Sequence, residues 1–592
     1  MSQAARRRTS HAPPAAPRAK AVAFAIPPGA IAILAWAIPL LAALVVYASA
    51  LRTFFAADDV TFLSRARGLE PTHWTLARPL SEGVTWRLLF AAFGLHPLPY
   101  HVFLLALHLV NTALVYAIGR RLTGGRGAAC AAATLYGASS IGFAALHWTS
   151  CLVELQSATF ALLAFLLYLR ARDAVSMRLL WFSALAGLAA VLSKESTILF
   201  PLAFLVADRR SGLFRSDRHT LVPGAIVALA YAVTFVLTIR SIKYVGTEAY
   251  AMTTAPTFLV GNLATYLRWL VMLLNPVRDF RATLNPGALP IGSLVALAGV
   301  VLLVLQIRSS RHTEEVGAAW FLVFLLPVVP LLHHTYLYYL YLPWAGACWM
   351  LAAAGQRLTR LAPVPLGWLA ALVLTAFVVI EARNVRVRET WMSGVYAGDR
   401  TMRESGLLRN IVAGLDSMRF APGTPVAFVN PAPRMHQPLG GAGNVVYSYM
   451  PFETTMRDGE TMRLFFPELR ILGVGERVKP EWETSEIVLF MGDGRLTDVG
   501  RGGHALTELG YRLMPLGQWA ASDSMFRRAR VLGDTLPDGT FGLMATSHYL
   551  GHDDVMREFC REFLRRWPNE KRAATVDSTL RRSLRGAPLA RQ

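Results

Sequence analysis

Long apolar runs separated by short basic segments dominate the first two thirds of the sequence, over roughly residues 22–381. A helix needs about 20 apolar residues to cross the hydrocarbon core of a bilayer. About eleven runs approach that length: 29–51, 99–119, 128–146, 152–169, 178–193, 196–207, 220–240, 288–307, 316–332, 338–355 and 364–382. The pattern predicts a mostly α, polytopic membrane protein.

The basic segments give these runs an orientation. Cytoplasmic loops are rich in Lys and Arg, and GRRLTGGRG, RARD, DRRSGLFRSDRH, RSSRH and GQRLTR all become cytoplasmic if the N-terminus is inside. The long loops 52–98 and 242–287 then lie on the outer face. If the stretch 257–276 crossed the membrane, every later loop would lie on the opposite side. Arg268 would also lie within the membrane, at a cost of several kcal/mol. We therefore interpret 257–276 as an interfacial or re-entrant helix. The alternative is that it crosses the membrane and that another change in the number of spans returns the later loops to their expected sides.

Charge and cysteine content exclude some classes of function. The net charge of +21 does not indicate nucleic-acid binding, because much of the excess lies in the short loops between apolar runs. The four cysteines are scattered and form no CxxC pair, so neither a disulfide framework nor a zinc site is indicated. The alanine- and arginine-rich composition and the basic N-terminus suit a bacterial inner membrane.

Composition divides the chain into four parts. Residues 1–28 form a basic cytoplasmic tail, and residues 29–384 form the transmembrane domain. Residues 385–510 contain strand-like runs such as PVAFVN and EIVLFMGDG, which predict an extracytoplasmic α/β domain. Residues 511–592 have a helical pattern with two similar segments, which predicts degenerate tetratricopeptide-like repeats; a plain helical bundle is the alternative.

Two adjacent carboxylates, Asp58 and Asp59, follow the first apolar run in the stretch AADDVTF. A carboxylate at a bilayer edge is partly desolvated, and a second carboxylate beside it raises its pKa further. Such a group can accept a proton from a hydroxyl nucleophile. We predict Asp58 and Asp59 as catalytic residues, with Asp58 as the base; the alternative is that Asp58 caps a short helix over 59–67.

Cations near the predicted outer face suggest a phosphate site. Arg78 lies beside Pro79, and the planar guanidinium of arginine binds two phosphate oxygens at once; contact with lipid headgroups is the alternative. Lys194 and Glu195 interrupt an apolar run, where ionisable residues are usually functional. We expect Lys194 to neutralise a phosphate while Glu195 orients it; a mutual ion pair that closes a turn is the alternative.

Other polar and aromatic residues lie at predicted outer edges of the bundle. The candidate substrate contacts are Trp148, Glu154, His333, His334 and Tyr341. Trp148 suits either an interfacial aromatic belt or a platform for a sugar ring. His108 and Asn111 lie three residues apart on one face of a span, and this spacing predicts hydrogen bonds between helices.

In their order, these motifs resemble the GT-C glycosyltransferases, a class that includes protein O-mannosyltransferases and lipid A aminoarabinose transferases. The acidic pair of DDVTF matches the hallmark of their first outer loop. RPLSEG to GRRL (78–122), HWTSCLVEL, LSKESTILFPL and YLYLPWAG are similar to motifs of the transmembrane and tetratricopeptide-repeat O-mannosyltransferases and their bacterial relatives. The likeness covers about 58–346. Relatives often carry an arginine where this chain has Leu152, and another where it has Tyr338.

The resemblance implies an inverting glycosyltransferase that takes a sugar, such as mannose, from a polyprenyl-phosphate donor at the outer face. Asp58 would act as the base, and Arg78 and Lys194 would hold the phosphate. The acceptor would be a hydroxyl of a protein, a glycolipid or a polysaccharide, and no obligate metal cofactor is expected. The alternatives are a transporter or flippase of lipid-linked sugars and a non-catalytic membrane scaffold.

Overall fold

The structure, a computed structural model, describes residues 28–70, 78–208, 222–241, 252–271, 312–331, 335–361, 367–393, 396–430, 455–490 and 495–586. Its N-terminal part is built from helices. They are α1 Pro28–Tyr47, α2 Ala57–Arg67, α3 Trp86–Phe93, α4 Pro97–Thr123, α5 Arg126–Ala138, α6 Phe143–His147, α7 Leu152–Ala174, α8 Met177–Ser193, α9 Phe200–Asp208, α10 Val222–Ser241, α11 Pro256–Val271, α12 His312–Leu325, α13 Tyr341–Leu361 and α14 Gly367–Thr390.

Several of these helices are long and apolar enough to cross a membrane. Within the described ranges there are five such stretches: Ala32–Arg52, Pro97–Thr123, Arg126–His147, Thr149–Ala174 and Gly367–Thr390. The expected mostly helical architecture with several apolar helices is therefore confirmed. The number of eleven spans and the cytoplasmic N-terminus remain predictions, and the predicted span 288–307 lies outside the described residues.

The outer surface of the bundle is apolar. Leu41 of α1, Phe182 of α8 and Trp368 of α14 expose 57%, 57% and 86% of their surface. Large apolar side chains that face outward along whole helices are expected where the surroundings are lipid. These helices therefore have the apolar surface of membrane helices, and α1 and α14 also have the length.

Polar side chains link the helices inside the bundle. His108 of α4 lies 2.7 Å from the hydroxyl of Tyr341 through Nδ1 and 2.9 Å from the carbonyl oxygen of Gly137 through Nε2. The side-chain nitrogen of Asn111 donates to the carbonyl oxygen of Leu155 (3.1 Å) and to the Tyr341 hydroxyl (3.2 Å). The predicted interhelical role of His108 and Asn111 is confirmed.

The helix α11 covers most of the stretch predicted to be interfacial. Its 16 residues correspond to about 24 Å at 1.5 Å per residue. Asn262 donates to the carbonyl oxygens of Val329 (2.8 Å) and Leu331 (2.7 Å), so α11 is attached to the segment that follows α12. The interfacial interpretation of 257–276 remains a prediction, and residues 272–276 lie outside the described part.

The C-terminal part combines a small sheet with further helices. Its strands are β1 Met392–Ser393, β2 Tyr396–Ala397, β3 Pro425–Val429, β4 Arg470–Gly475, β5 Glu486–Phe490 and β6 Leu496–Asp498. Its helices are α15 Arg400–Met418, α16 Glu460–Phe465, α17 Gly502–Leu513, α18 Trp519–Val531, α19 Pro537–Tyr549, α20 Asp553–Arg566 and α21 Ala573–Leu584. The runs PVAFVN and EIVLFMGDG contain β3 and β5, as the sequence pattern predicts.

The four-stranded sheet has the order β4-β3-β5-β6, with β3 parallel to both β4 and β5 and β6 antiparallel to β5. Successive side chains of a strand point to opposite faces. Val426 and Phe428 belong to the same core as Leu408 of α15 and the membrane helices, whereas Ala427 and Val429 pack with α17 and α18. The sheet is thus joined to the bundle through α15.

The last four helices, α18 to α21, each pack against the next one along the chain. Successive antiparallel packing of this kind occurs both in helical repeats and in plain bundles. The tetratricopeptide-like interpretation therefore remains a prediction beside its alternative.

Candidate active site

Asp59 is buried at the start of α2, where it holds two backbone segments together. One carboxylate oxygen accepts a hydrogen bond from the backbone N–H of Ala56 (2.7 Å), as in a capping box. The other accepts from both the backbone N–H and the hydroxyl of Ser150, each at 2.5 Å. Burial raises the pKa of Asp59 to about 7 despite these three donors. The cap of α2 therefore comes from Asp59, and the alternative that Asp58 caps this helix is wrong.

Asp58, its neighbour, is exposed to solvent at the edge of a cavity. Protein groups replace part of the water around its carboxylate, and this desolvation raises its pKa. The charges of Arg400 and Arg457 act in the opposite direction. A carboxylate that is accessible and has a raised pKa is suited to accept a proton.

The cavity itself, of about 100 Å³, lies at one end of the helix bundle. It opens among the start of α2, the segment between α6 and α7, the turn after α8 and the segment before α13. Its walls include Asp58, Phe62, Arg78, Trp148, Ser150, Cys151, Val153, Glu154, Lys194, Tyr336, Tyr338 and Tyr339. Side chains from positions 58 to 339 of the chain thus share one cavity, and five of the predicted site residues are among them.

Arg78 is buried and already bonded to carboxylates. Its Nε and Nη2 donate to the two oxygens of Glu195, at 2.7 and 2.6 Å, and its Nη1 lies 3.4 Å from Glu82. Pro79 begins a seven-residue π-helix, Pro79–Thr85, at whose start the Arg78 carbonyl oxygen accepts from the N–H of Glu82 (2.9 Å). Glu195 is therefore the partner of Arg78, which corrects the expectation that it pairs with or orients Lys194.

Lys194 forms its ion pair with Glu154 of α7. Its ammonium group also lies over the rings of Tyr339 and Tyr338, 4.6 and 5.4 Å from their centroids. An ammonium group has three N–H donors and a single carboxylate does not use all of them. Burial lowers the pKa of Lys194 to about 7, and in its protonated form Lys194 is a cation on the cavity wall that can take a further acceptor.

Aromatic side chains form another part of the wall. The rings of Tyr336 and Tyr338 are stacked with centroids 5.2 Å apart, and Trp148 meets Tyr338 edge-on at 6.1 Å. The indole nitrogen of Trp148 is buried and has no hydrogen-bond partner among the described residues. A buried donor beside aromatic faces is suited to a sugar ring, whose hydroxyls accept hydrogen bonds and whose C–H face stacks on aromatics.

Two predicted contacts, Tyr341 and Glu195, do not line the cavity among the described residues. Tyr341 is engaged with His108 and Asn111 inside the bundle and does not line the cavity. Glu195 is bonded to the cavity residue Arg78. His333 and His334 lie outside the described residues.

Sequence reasoning missed other wall residues. Tyr336, Tyr338, Tyr339 and Ser150 were not predicted to contact the substrate. The dense tyrosine cluster was the available signal for the first three. No local sequence pattern indicates that Ser150, Arg400 and Arg457 lie near α2, because tertiary packing brings them there.

The known proteins that this chain is similar to belong to the class that the motifs indicate. Residues 78–237 match the family described as dolichyl-phosphate-mannose-protein mannosyltransferase. This range contains Arg78, Trp148, Glu154 and Lys194 of the cavity wall. The chain is therefore similar, in this part of its membrane domain, to membrane mannosyltransferases.

A curated relative carries the same resemblance. Protein O-mannosyl-transferase Tmtc1 of Drosophila melanogaster is 31% identical over 211 residues, which is 36% of this chain. The matched part spans 23% of the length of that relative. The predicted resemblance to GT-C O-mannosyltransferases is confirmed.

Proposed function

We propose that this protein is an inverting membrane glycosyltransferase that moves a sugar, with mannose as the first candidate, from a polyprenyl-phosphate donor to a hydroxyl acceptor. The observation that carries the proposal is the single cavity shared by Asp58 and Lys194 at one end of an apolar bundle. The match of residues 78–237 to mannosyltransferases supports the choice of reaction. The reaction takes place at the outer face of a bacterial inner membrane, with the C-terminal part outside.

In the proposed step, the acceptor hydroxyl attacks the anomeric carbon of the donor sugar. Its oxygen forms the new glycosidic bond while its proton passes to the carboxylate of Asp58. The bond between the anomeric carbon and the phosphate oxygen breaks, and polyprenyl phosphate leaves with the electron pair. Attack opposite the leaving group inverts the anomeric centre. Polyprenyl phosphate is already a good leaving group and needs no general acid, so one carboxylate suffices, in contrast to the two of glycoside hydrolysis.

Lys194 is the proposed contact of the departing phosphate. It lies on the cavity wall with Asp58 and, beyond the Glu154 pair, has N–H donors left for phosphate oxygens. Preorganised positive charge is most effective where negative charge develops. Arg78 also lines the cavity, but its two bonds to Glu195 suit it to shape the wall beside Lys194. We expect no obligate metal ion, because the leaving group is a monophosphate.

The test uses the purified full-length protein in liposomes. The donor is polyprenyl phosphate carrying a tritiated mannose, and the acceptor is an envelope extract from cells that lack the gene. We expect sugar transfer by the wild type and a loss of roughly 10²-fold or more with Asp58→Asn, the scale of general-base catalysis. The product's anomeric configuration reports inversion.

Asp173→Asn is the matched control. Asp173 lies in the last turn of α7, whose first turn borders the cavity, and it pairs with Arg121 at an exposed position. Its substitution should leave transfer unchanged. Full activity of Asp58→Asn would exclude Asp58 as the base, and donor movement across the bilayer without any transfer would replace the proposal by a transporter.

A further inference from the structure

The π-helix Pro79–Thr85 packs against two elements of the proposed site. One is α2, which carries Asp58, and the other is α8, whose last residue precedes Lys194. The N–H of Trp86 donates to the carbonyl oxygen of Ser81, the five-residue spacing that defines this type of helix. Helices of this type are rare and occur frequently at functional sites, so the contacts of this one bear on the cavity.

On one side, the π-helix holds the turn that carries Lys194. The buried hydroxyl of Ser81 donates to the carbonyl oxygen of Ser193 at 2.7 Å. Arg78, at the N-cap of the π-helix, donates to both oxygens of Glu195 at 2.7 and 2.6 Å. The residues before and after Lys194 are thus bonded to the same short helix and its cap, which limits the positions that the Lys194 backbone can take.

On the other side, Glu82 joins the π-helix to α2. Its side chain is buried, and its two oxygens face different arginines. Oε2 lies 3.3 Å from Nη1 of Arg65, and Oε1 lies 3.4 Å from Nη1 of Arg78. Arg65 lies two turns after Asp58 on α2, and its guanidinium lies 5.9 Å from the ring centroid of Phe62. Because Asp58 and Phe62 both line the cavity, Glu82 attaches the helix of the proposed base.

The two attachments depend on each other because they share Arg78. Its guanidinium is bonded to Glu195 and also faces Glu82, so two carboxylates compete for one cation. Arg65 balances the charge of Glu82 from the side of α2. Without Arg65, Glu82 would attract Arg78 more strongly and weaken the bonds to Glu195, since a buried carboxylate has little water to replace a lost partner.

We propose that the π-helix Pro79–Thr85 is the spacer that fixes the distance between Asp58 and Lys194. Ser81 and Glu82 are its positioning residues. The proposal rests on the proposed function, because the elements at the two ends of the spacer carry the base and the phosphate contact of that reaction. Both groups must meet the same anomeric centre, and a displacement of about 1 Å between reacting groups can cost about 10²-fold in rate.

The first measurement follows the turn after α8 separately from the reaction. Amide hydrogen exchange of the full-length protein in liposomes is recorded for a peptide covering residues 193–197. We expect Arg65→Gln to make this exchange faster, although Arg65 belongs to α2. The reason is that Glu82 then draws Arg78 away from Glu195. Adding Glu82→Gln to that variant should return the exchange rate to the wild-type value, because the competing charge is removed as well.

The second measurement is steady-state kinetics with polyprenyl phosphate mannose, with rates referred to the folded protein quantified by size-exclusion chromatography. Glu82→Gln detaches α2 from the π-helix and leaves Ser81 and Arg78 bonded to the turn. We expect kcat to fall by roughly 10–10²-fold, the cost of a displaced reacting group. The KM of the donor should stay near the wild-type value. Ser81→Ala acts on the turn of Lys194 itself and should raise the KM of the donor.

Two further variants serve as controls. Arg65→Lys keeps a positive charge opposite Glu82 and should keep the exchange rate of residues 193–197 near that of the wild type. Arg121→Gln removes an arginine that pairs with Asp173 at an exposed position and should change neither the exchange rate nor the kinetics. An exchange rate that is the same in Arg65→Gln and the wild type would overturn the proposal.

The exchange result does not depend on turnover. Faster exchange in Arg65→Gln that Glu82→Gln reverses, together with absent sugar transfer by the wild type, would support the spacer and reject the glycosyltransferase. Transfer that requires Asp58 but has wild-type kcat in Glu82→Gln and wild-type KM in Ser81→Ala would reject the spacer alone. This kinetic comparison also decides the question if Arg65→Gln fails to fold.

Discussion

Asp58 and Asp59 are adjacent in sequence but have different surroundings. Successive residues at the start of a helix point in directions about 100° apart, so Asp59 turns inward to Ala56 and Ser150 while Asp58 turns to the cavity. The carboxylate with three hydrogen-bond donors is held in place, and the neighbouring one is accessible to substrate. We infer that Asp59 acts on the reaction by positioning the first turn of α2.

The hydrogen bonds of Asp59 predict a loss of stability in Asp59→Asn. The amide nitrogen of asparagine is a donor, so it cannot accept from both Ala56 and Ser150. A buried donor left without its acceptor costs roughly 1–3 kcal/mol. The thermal midpoint of the solubilised protein should fall, whereas Asp58→Asn should leave it nearly unchanged; equal midpoints for the two variants would contradict this.

The cost of Asp59→Asn should also depend on pH. The pKa of Asp59 in the folded protein is raised from 3.8 to about 7. Protonation of Asp59 therefore stabilises the folded state fully below pH 3.8, and this stabilisation is lost as the pH rises through 7. Asparagine does not titrate. The difference in the free energy of unfolding between the wild type and Asp59→Asn should therefore become smaller as the pH rises from about 4 to about 8.

At the scale of elements, the contact between α12 and α13 depends on two glycines. A Cβ atom built on Gly317 would lie 2.5 Å from the carbonyl oxygen of Gly346, and one built on Gly346 would lie 2.3 Å from that of Gly317. Backbones approach this closely only where side chains are absent, which is the usual packing of small residues between membrane helices. The segment with Tyr336 to Tyr339 leads directly into α13, so this contact also positions one wall of the cavity.

Gly346→Ala should destabilise the bundle, because the backbone oxygen that it meets cannot move aside as a flexible side chain can. Gly355→Ala, on the same helix, is the matched control, since a Cβ there meets nothing within 4 Å. Alanine at that position should be neutral or stabilising by up to about 1 kcal/mol. Thermal unfolding of both variants measures the difference, and a Gly346→Ala midpoint at or above the wild-type value would contradict the prediction.

At the scale of the whole molecule, the membrane part and the C-terminal part form one continuous structure. Their apolar residues share a core through α15, and Arg388 at the end of α14 pairs with Asp399 at 2.6 Å, where Asp399 also caps α15. Arg67 of α2 adds a bond to the carbonyl oxygen of Leu464 (2.6 Å). The acidic pair is therefore held from both parts of the chain.

Ser405→Ala should loosen this attachment. It removes two hydrogen bonds to the backbone of Phe54 and leaves both backbone groups without their partner. Amide hydrogen exchange of a peptide covering residues 52–56 should become faster. Ser417→Ala is the control, because the Ser417 hydroxyl donates to the carbonyl oxygen of Gly414 within α15 at an exposed position. Unchanged amide exchange in Ser405→Ala would show that other contacts are enough to hold residues 52–56.

The sequence predicted what depends on local pattern. Apolar run length predicted the membrane helices, and unusual charges in apolar surroundings pointed to Asp58, Arg78 and Lys194. Pairing between charges was not predictable, because the packing of α7 and α8 brings Glu154 to Lys194, while Glu195, the expected partner of Lys194, pairs with Arg78. The contribution of α15 was likewise hidden, since nothing in the sequence near residue 400 indicates contact with Phe54.

The bond between Phe54 and Ser405 joins positions 351 residues apart. At about 5–20 residues per second, a ribosome needs roughly 20–70 s to make the intervening chain. During that interval Phe54 and the acidic pair have been synthesised, but α15 does not yet exist. A nascent chain therefore cannot form the attachment between Phe54 and Ser405 until α15 has been synthesised.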